Sequence, residues 1–203
     1  SKTSANIIVM AGAHFMAETA KLMSPNKKVL LPDMKAGCSL SSSVTGKDVR
    51  LLKEKYPGVP VVSYVNTSAD VKAETDICCT SANAVKIVES LGVKKVIFLP
   101  DDYLAKYVAS QTNVEIIAWK GICMVHDQFN EKEIHDIRKN NPGIKIIAHP
   151  ECPPEVIEAS DFAGSTGGMI DYVKNNQPKK VMMVTECSMS DNIQVENPNV
   201  EFI

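Results

Sequence analysis

The sequence predicts an α/β fold of repeated αβα units with parallel sheets. Three observations carry this expectation: short apolar runs alternate with amphipathic segments, the runs are rich in Val and Ile, and the chain matches itself at a shift of 85 residues. The runs are IIVMAG (7–12), KVLLPD (28–33), VPVVSYVN (59–66), VKKVIFLPD (93–101), VEIIAW (114–119), IKIIAHPE (144–151) and KKVMMVTE (179–186). None alternates strictly between apolar and polar, the pattern of strands covered on both faces. Between them GKDVRLLKEKYP, SANAVKIVESLG and NEKEIHDIRKNNP read as helices that stop at Gly or Pro. Strand and helix in alternation give parallel sheets flanked by helices.

The self-match sharpens this. A shift of 85 residues carries Cys38 onto Cys123, Tyr64 onto His149, Asn66 onto Glu151 and Asp101 onto Glu186, with no insertion. Two copies of one βα unit of about 85 residues follow. The first 29 residues have the strand–helix–strand plan of the end of such a copy. The expected organisation is therefore 1–29 as the remainder of a first repeat, 30–113 as a second and 114–203 as a third, from a parent with a pseudo-threefold axis.

Composition narrows the function. With 203 residues, 44% of them hydrophobic, 23% charged and a net charge of −2, the chain reads as a globular protein without the basic footprint of a nucleic-acid binder. No apolar run approaches the roughly 20 residues that span a bilayer. The first residues lack the charged–apolar–small pattern of a leader peptide. A cytoplasmic location is the expectation. Six cysteines without a CxxC pair give no zinc ribbon and no disulfide framework.

Polar residues gather just past the C-terminal ends of the apolar runs, where ligands bind in open parallel sheets. Tyr64 and Asn66 close one strand; His149 and Glu151 close its counterpart. His149 and Glu151 are two apart on extended chain, so both point the same way, an arrangement suited to acid–base work or to a structural pair. Thr80 or Ser81, and Ser165 or Thr166, sit where they would cap a helix or help its N-terminus hold an anion. Asp101 and Asp102 read as caps of the helix YLAKYVAS, while His14 and His135 read as solvated. His126, three residues after Cys123, reads as a supporting group or a substrate contact. Cys38 (in AGCSLSS) and Cys123 (in KGICMVH) lie in loops in register, a better place for metal or cluster ligands than for buried hydrophobes. The same register puts a third equivalent at position 208.

The segments HFMAETAKLMSP, LPDMKAGCSL, YVNTSADVKAETD, CTSANAVKIV, the Cys123 loop with VHDQF, AHPECPPEV and GSTGGMIDYV resemble the quinolinate synthase family from about residue 7 to 186. The resemblance implies three homologous αβα domains around a pseudo-threefold axis. It implies a [4Fe–4S] cluster held by one cysteine per domain, Cys38 and Cys123 among them, with one iron open to substrate. It implies condensation of iminoaspartate with dihydroxyacetone phosphate to quinolinate, phosphate and two waters, in the synthesis of NAD. Glu151 would be the acid–base group, with His149 and Tyr64 moving protons or orienting substrate. Asn66, Ser81, Ser165 and Thr166 would hold carboxylates or phosphate. An aspartate-oxidising enzyme that supplies iminoaspartate is the implied partner. The family's His-and-Tyr motif after its first strand has no counterpart in these residues, and Cys187, directly after Glu186, is out of register with Cys38 and Cys123. The alternative is a non-catalytic remnant that binds an anion or a partner. A general phosphate-binding Rossmann protein is disfavoured, because no GxGxxG follows a strand.

Overall fold

The computed structural model describes residues 3–203. Its strands form three parallel sheets. A two-stranded sheet pairs β1 (Ile7–Val9) with β2 (Lys28–Leu30) on either side of α1 (His14–Met23). A four-stranded sheet is built from β3 (Val61–Tyr64), β4 (Ile77–Cys79), β5 (Lys95–Leu99) and β6 (Glu115–Ala118), in the order β4-β3-β5-β6. The other is built from β7 (Lys145–Ala148), β8 (Phe162–Ala163), β9 (Lys180–Val184) and β10 (Glu201–Phe202), in the order β8-β7-β9-β10. The two strand orders are the same when the chain is shifted by one repeat.

The helices follow the shift as closely. It carries α2 (Gly46–Lys55) onto α6 (Glu131–Asn140) and α3 (Ala69–Glu74) onto α7 (Pro154–Ala159). It also carries α4 (Ala84–Ser90) into α8 (Thr166–Asn176) and α5 (Asp102–Gln111) onto the span of α9 (Ser188–Glu196). The caps differ in chemistry but agree in geometry: Thr45 accepts from the Asp48 N–H, and Asn130 from the Glu133 N–H. The sheets do not divide the chain at the sequence period. β2 pairs with β1 across 29/30, and β6 pairs with β5 across 113/114, because a βα repeat finishes its sheet with the strand that opens the next period.

The unbroken apolar runs are explained by burial on both faces. In the second sheet Val62, Tyr64, Val96 and Phe98 pack into one core, while Val61, Ile97 and Leu99 pack into another on the opposite face. In the third, Ile146, Ala148 and Val184 face one core and Ile147, Val181 and Met183 the other. The β1–β2 pair is different: Ile7, Val9 and Leu30 are exposed. Among the described residues no helix is long and apolar enough to cross a membrane.

Two loops bring the repeats together at the C-terminal edges of the strands. Cys38 O accepts from the Ser42 N–H at 3.0 Å, and Cys123 O accepts from the Asp127 N–H at 2.9 Å, so both cysteines open the same turn. The turns also touch neighbouring chain. Trp119 Nε1 donates to Ser43 O at 3.1 Å, and a Cβ added at Gly121 would lie 2.5 Å from both Pro100 O and Ser43 Oγ. Gly121 is required there because the chains approach too closely for any side chain.

One clamp recurs in both repeats. Asp76 accepts from the Val61 N–H at 2.8 Å and pairs with Lys53; Asp161 accepts from the Ile146 N–H at 2.9 Å and pairs with Arg138 and Lys145. Asp161 is the better enclosed, with its side chain 19% exposed against 46% for Asp76. Asp161→Ala strands a buried strand N–H and should lower unfolding stability by about 1–3 kcal/mol. Asp76→Ala should cost less. Urea unfolding of the two variants checks the order, and equal losses would contradict it.

Candidate functional site

The parallel strands deliver their polar ends to one cleft. β3 ends at Tyr64 with Asn66 two residues on, β7 is followed by His149 and Glu151, and β9 by Thr185 and Glu186. Tyr64, Asn66, His126, His149, Glu151, Thr166, Thr185, Glu186, Met189 and Asn192 line a cleft of about 360 Å³. Thr166 opens α8, whose N-cap Ser165 accepts from the Gly168 N–H, so a helix N-terminus with its free N–H groups borders the cleft.

The centre of the site is a buried carboxylate. Glu151 is 3% exposed, and its Oε2 lies 3.0 Å from His126 Nδ1 and 3.8 Å from His149 Nδ1. The His126 and His149 rings stack with centroids 4.9 Å apart. His126 Nε2 is 3.0 Å from Thr185 Oγ1, which fixes the ring from the other side. The Nδ1–Oε2 approach is close but not aligned as a hydrogen bond, and His126 Nδ1 and Glu151 Oε1 have no hydrogen-bond partner. Such bare buried atoms call for an occupant or a function.

The environment sorts these groups by charge. Burial works against the ionised Glu151, but His126 and His149 outweigh it and hold the carboxyl below its usual range. Burial also works against an imidazolium at His126, yet contacts with Cys123 and Glu151 raise it to about 9. His149 is driven down to about 4, first by burial and then by the neighbouring His126, against the pull of Glu151. Burial, then the charge of Glu151, pushes the Tyr64 hydroxyl far above its ordinary value, with Ser81 opposing. At neutral pH the site thus offers one carboxylate, one imidazolium, one neutral imidazole and one neutral phenol.

The sequence candidates fall into two groups. Tyr64, Asn66, His149, Glu151 and Thr166 meet in the cleft. Ser81 neighbours Tyr64 without lining the cleft, and Ser165 acts as the cap of α8. The expected cap at Thr80 or Ser81 is corrected: α4 begins at Ala84 with Asn83 as N-cap, and Asn83 Oδ1 accepts from the Thr80 N–H at 2.6 Å. Asp101 caps α5 as expected, accepting from the Leu104 N–H at 2.6 Å. His135 is exposed beside Glu131, as read from the sequence. His14 is not simply solvated; it lines a cavity of about 380 Å³ with Glu18, Cys38, Ser41 and Asp70.

The cysteines take different surroundings. Cys38 lines that second cavity, while the ligand atoms of Cys123, His126 and Glu151 lie within 4.8 Å of one another. Both thiols are free and half-buried, in equivalent turns that pack through Gly121 and Ser43. Two such thiols are the donor chemistry of an iron–sulfur cluster. What sequence reasoning missed is Thr185, and Asp101 as a neighbour of Glu151; neither carries a local signal beyond a strand end and a helix cap.

Comparison with known proteins accounts for this arrangement. The family described as quinolinate synthetase A protein matches residues 1–203. Quinolinate synthase 2 of Mesorhizobium japonicum is 61% identical over 201 residues, 99% of this chain and 62% of the relative. Quinolinate synthase of Xylella fastidiosa (strain 9a5c) is 61% identical over 98% of this chain and 59% of its own length. Quinolinate synthase of Caulobacter vibrioides is 60% identical over 100% of this chain and 56% of its own length. The chain therefore spans about three fifths of these relatives. The duplicated turns, the strand-end Tyr, His and Glu, and a family match from first residue to last agree: the chain belongs to the quinolinate synthetase A protein family.

Proposed function

We propose that this chain carries much of the active site of a quinolinate synthase, acting in the synthesis of NAD. The substrates are iminoaspartate and dihydroxyacetone phosphate; the products are quinolinate, phosphate and two waters. The observation that carries the reading is the buried set of Tyr64, His126, His149 and Glu151 at the floor of a cleft bordered by the start of α8. One substrate is a dicarboxylate and the other a phosphate ester, and the cleft supplies what both need. Thr166 and the N–H groups opening α8 receive an anionic oxygen, and Asn66 offers an amide to a second polar group. His126, held cationic by Glu151, adds positive charge where carboxylates would dock.

The ring-forming condensation and both dehydrations require protons to leave carbon and nitrogen and to reach departing oxygens. Glu151 accepts a proton because His126 keeps it ionised and Oε1 is bare. His149, neutral at pH 7, orients substrate by hydrogen bonding. Tyr64, also neutral, keeps its proton for donation toward substrate or Glu151. Cys38 and Cys123 are the side chains that would hold a [4Fe–4S] cluster. When bound, such a cluster supplies an open iron as a Lewis acid for a hydroxyl or carboxylate oxygen. Six free cysteines suit a reducing compartment such as the cytoplasm. An aspartate-oxidising enzyme is the proposed supplier of iminoaspartate.

Glu151→Gln keeps size and hydrogen bonding but removes the titratable group. In an enzyme of the relatives' full length it should lower turnover by about 10²–10⁴-fold with iron and sulfide content unchanged. Full turnover at matched cluster content would refute the assignment. Gly121→Ala tests the cysteine turns. The added methyl forces the 119–123 strap away from Pro100 and Ser43, at a cost of about 1–3 kcal/mol. Anaerobically purified protein should then hold less iron and sulfide than the parent. A folded variant with undiminished content would show that the turns do not set the cluster site.

A further inference from the structure

Asp101 has two surroundings, and its role as a cap explains one of them. Its Oδ1 accepts from the Leu104 N–H at 2.6 Å at the start of α5. Its Oδ2 is buried with no hydrogen-bond partner, and the residue is 0% exposed. The cap needs only an acceptor, which Asn or Ser provides equally well without a charge. A bare carboxylate oxygen in a dry place costs stability, so the charge-bearing group calls for a reason beyond the cap.

Its neighbours supply one. Asp101 follows the end of β5, and a parallel bridge with Gly121 fixes it beside the strap that leads to Cys123 and His126. The ionisable groups that face it are Glu151 and His126, with Tyr64 and Cys152 in range and the Tyr103 backbone N–H beside its cap. Glu151 Oε1, like Asp101 Oδ2, is bare and buried. Two carboxyls sharing one buried cluster cannot both ionise freely, because like charges in a medium of low dielectric raise each other.

We propose that Asp101 is a positioning residue of this site: from behind the cleft it holds the spare proton of the Glu151 cluster, and so sets the charge against which Glu151 works. Burial and then the charge of Glu151 push its carboxyl up to about 7, against the Leu104 hydrogen bond and His126. Near neutral pH it is therefore divided between acid and anion, while Glu151 stays ionised. The inference rests on Glu151 being the proton-transfer group.

The test separates a stored proton from an ordinary cap. A carboxyl with a raised folded value favours the folded state when protonated. Its contribution is full at acid pH and is lost as pH rises from about 4 to about 7. An ionised cap behaves oppositely and loses its contribution as pH falls. Asp101→Asn and Asp101→Ser both keep the cap acceptor, so one remains informative if the other fails to fold. Thermal melts of the 203-residue chain should show the variants level with the parent near pH 4.5 and several degrees above it near pH 7.5. Variants that melt below the parent at pH 7.5, or level with it at every pH, overturn the inference. In an enzyme of the relatives' full length, the neutral limb of the turnover–pH profile should move by about one pH unit in Asp101→Asn. Cluster content should be unchanged. An unmoved profile also overturns the inference. An active Glu151→Gln enzyme would instead strike the reading beneath it, while the melts would still report on the proton of Asp101.

Discussion

The charge of Glu151 sits where water scarcely reaches it, and the rest of the site is arranged around that fact. An unmatched buried carboxylate costs several kcal/mol. It persists here because His126 Nδ1 stands 3.0 Å away and the ring is pinned by Thr185 at the end of β9. Glu151 itself follows β7, the neighbour of β9, so the two halves of the ion pair come from adjacent strands of one sheet. Tyr64 closes the cluster from β3 in the other four-stranded sheet. The cluster therefore exists only if both sheets present their C-terminal edges to the same place.

The duplication shows how the chain divides support from chemistry. Positions that hold backbone recur in both repeats: Asp76 and Asp161 each clamp the first residues of a central strand, and Cys38 and Cys123 each open the same turn. Positions at the strand ends do not recur. Tyr64 stands opposite His149, Asn66 opposite Glu151 and Asp101 opposite Glu186. Asp101 is fully buried while Glu186 is exposed at the cleft, so equivalent acids meet quite different solvents. One backbone plan thus carries a neutral hydrogen-bonding end in one copy and an ionised end in the other.

The sequence made visible whatever depends on short-range pattern. The seven long apolar runs all became strands, because residues buried on both faces leave an unbroken signal, and the 85-residue register predicted both strand orders. The short strands β4 and β8 were weaker, being three and two residues long. At the site, Glu151 and His149 were legible because two polar residues closed a strand. His126 was visible only as a residue near Cys123, since its partner Thr185 lies 59 residues away. Asp101 showed its local half, the cap, and hid its tertiary half, the burial beside Glu151. The start of α4 was misplaced because Asn83 competes for the turn by binding the Thr80 backbone, which delays the helix to Ala84.

The short connection from Cys123 to His126 joins elements that answer to different sheets. The strap before it is tied to the second sheet: Gly121 N–H donates to Pro100 O at 3.1 Å, and Asp102 N–H to Gly121 O at 2.8 Å. Three residues past Cys123, His126 is tied to the third sheet through Thr185 and Glu151. A relative shift of the two sheets cannot be absorbed by so short a segment without moving either the thiol or the imidazole. Because the Cys123, His126 and Glu151 ligand atoms already lie within 4.8 Å of one another, such a shift would alter both the thiol that would ligate a cluster and the charge that keeps Glu151 ionised. Cluster binding and proton transfer are in this way coupled through sheet packing, by a link that exists before any substrate arrives.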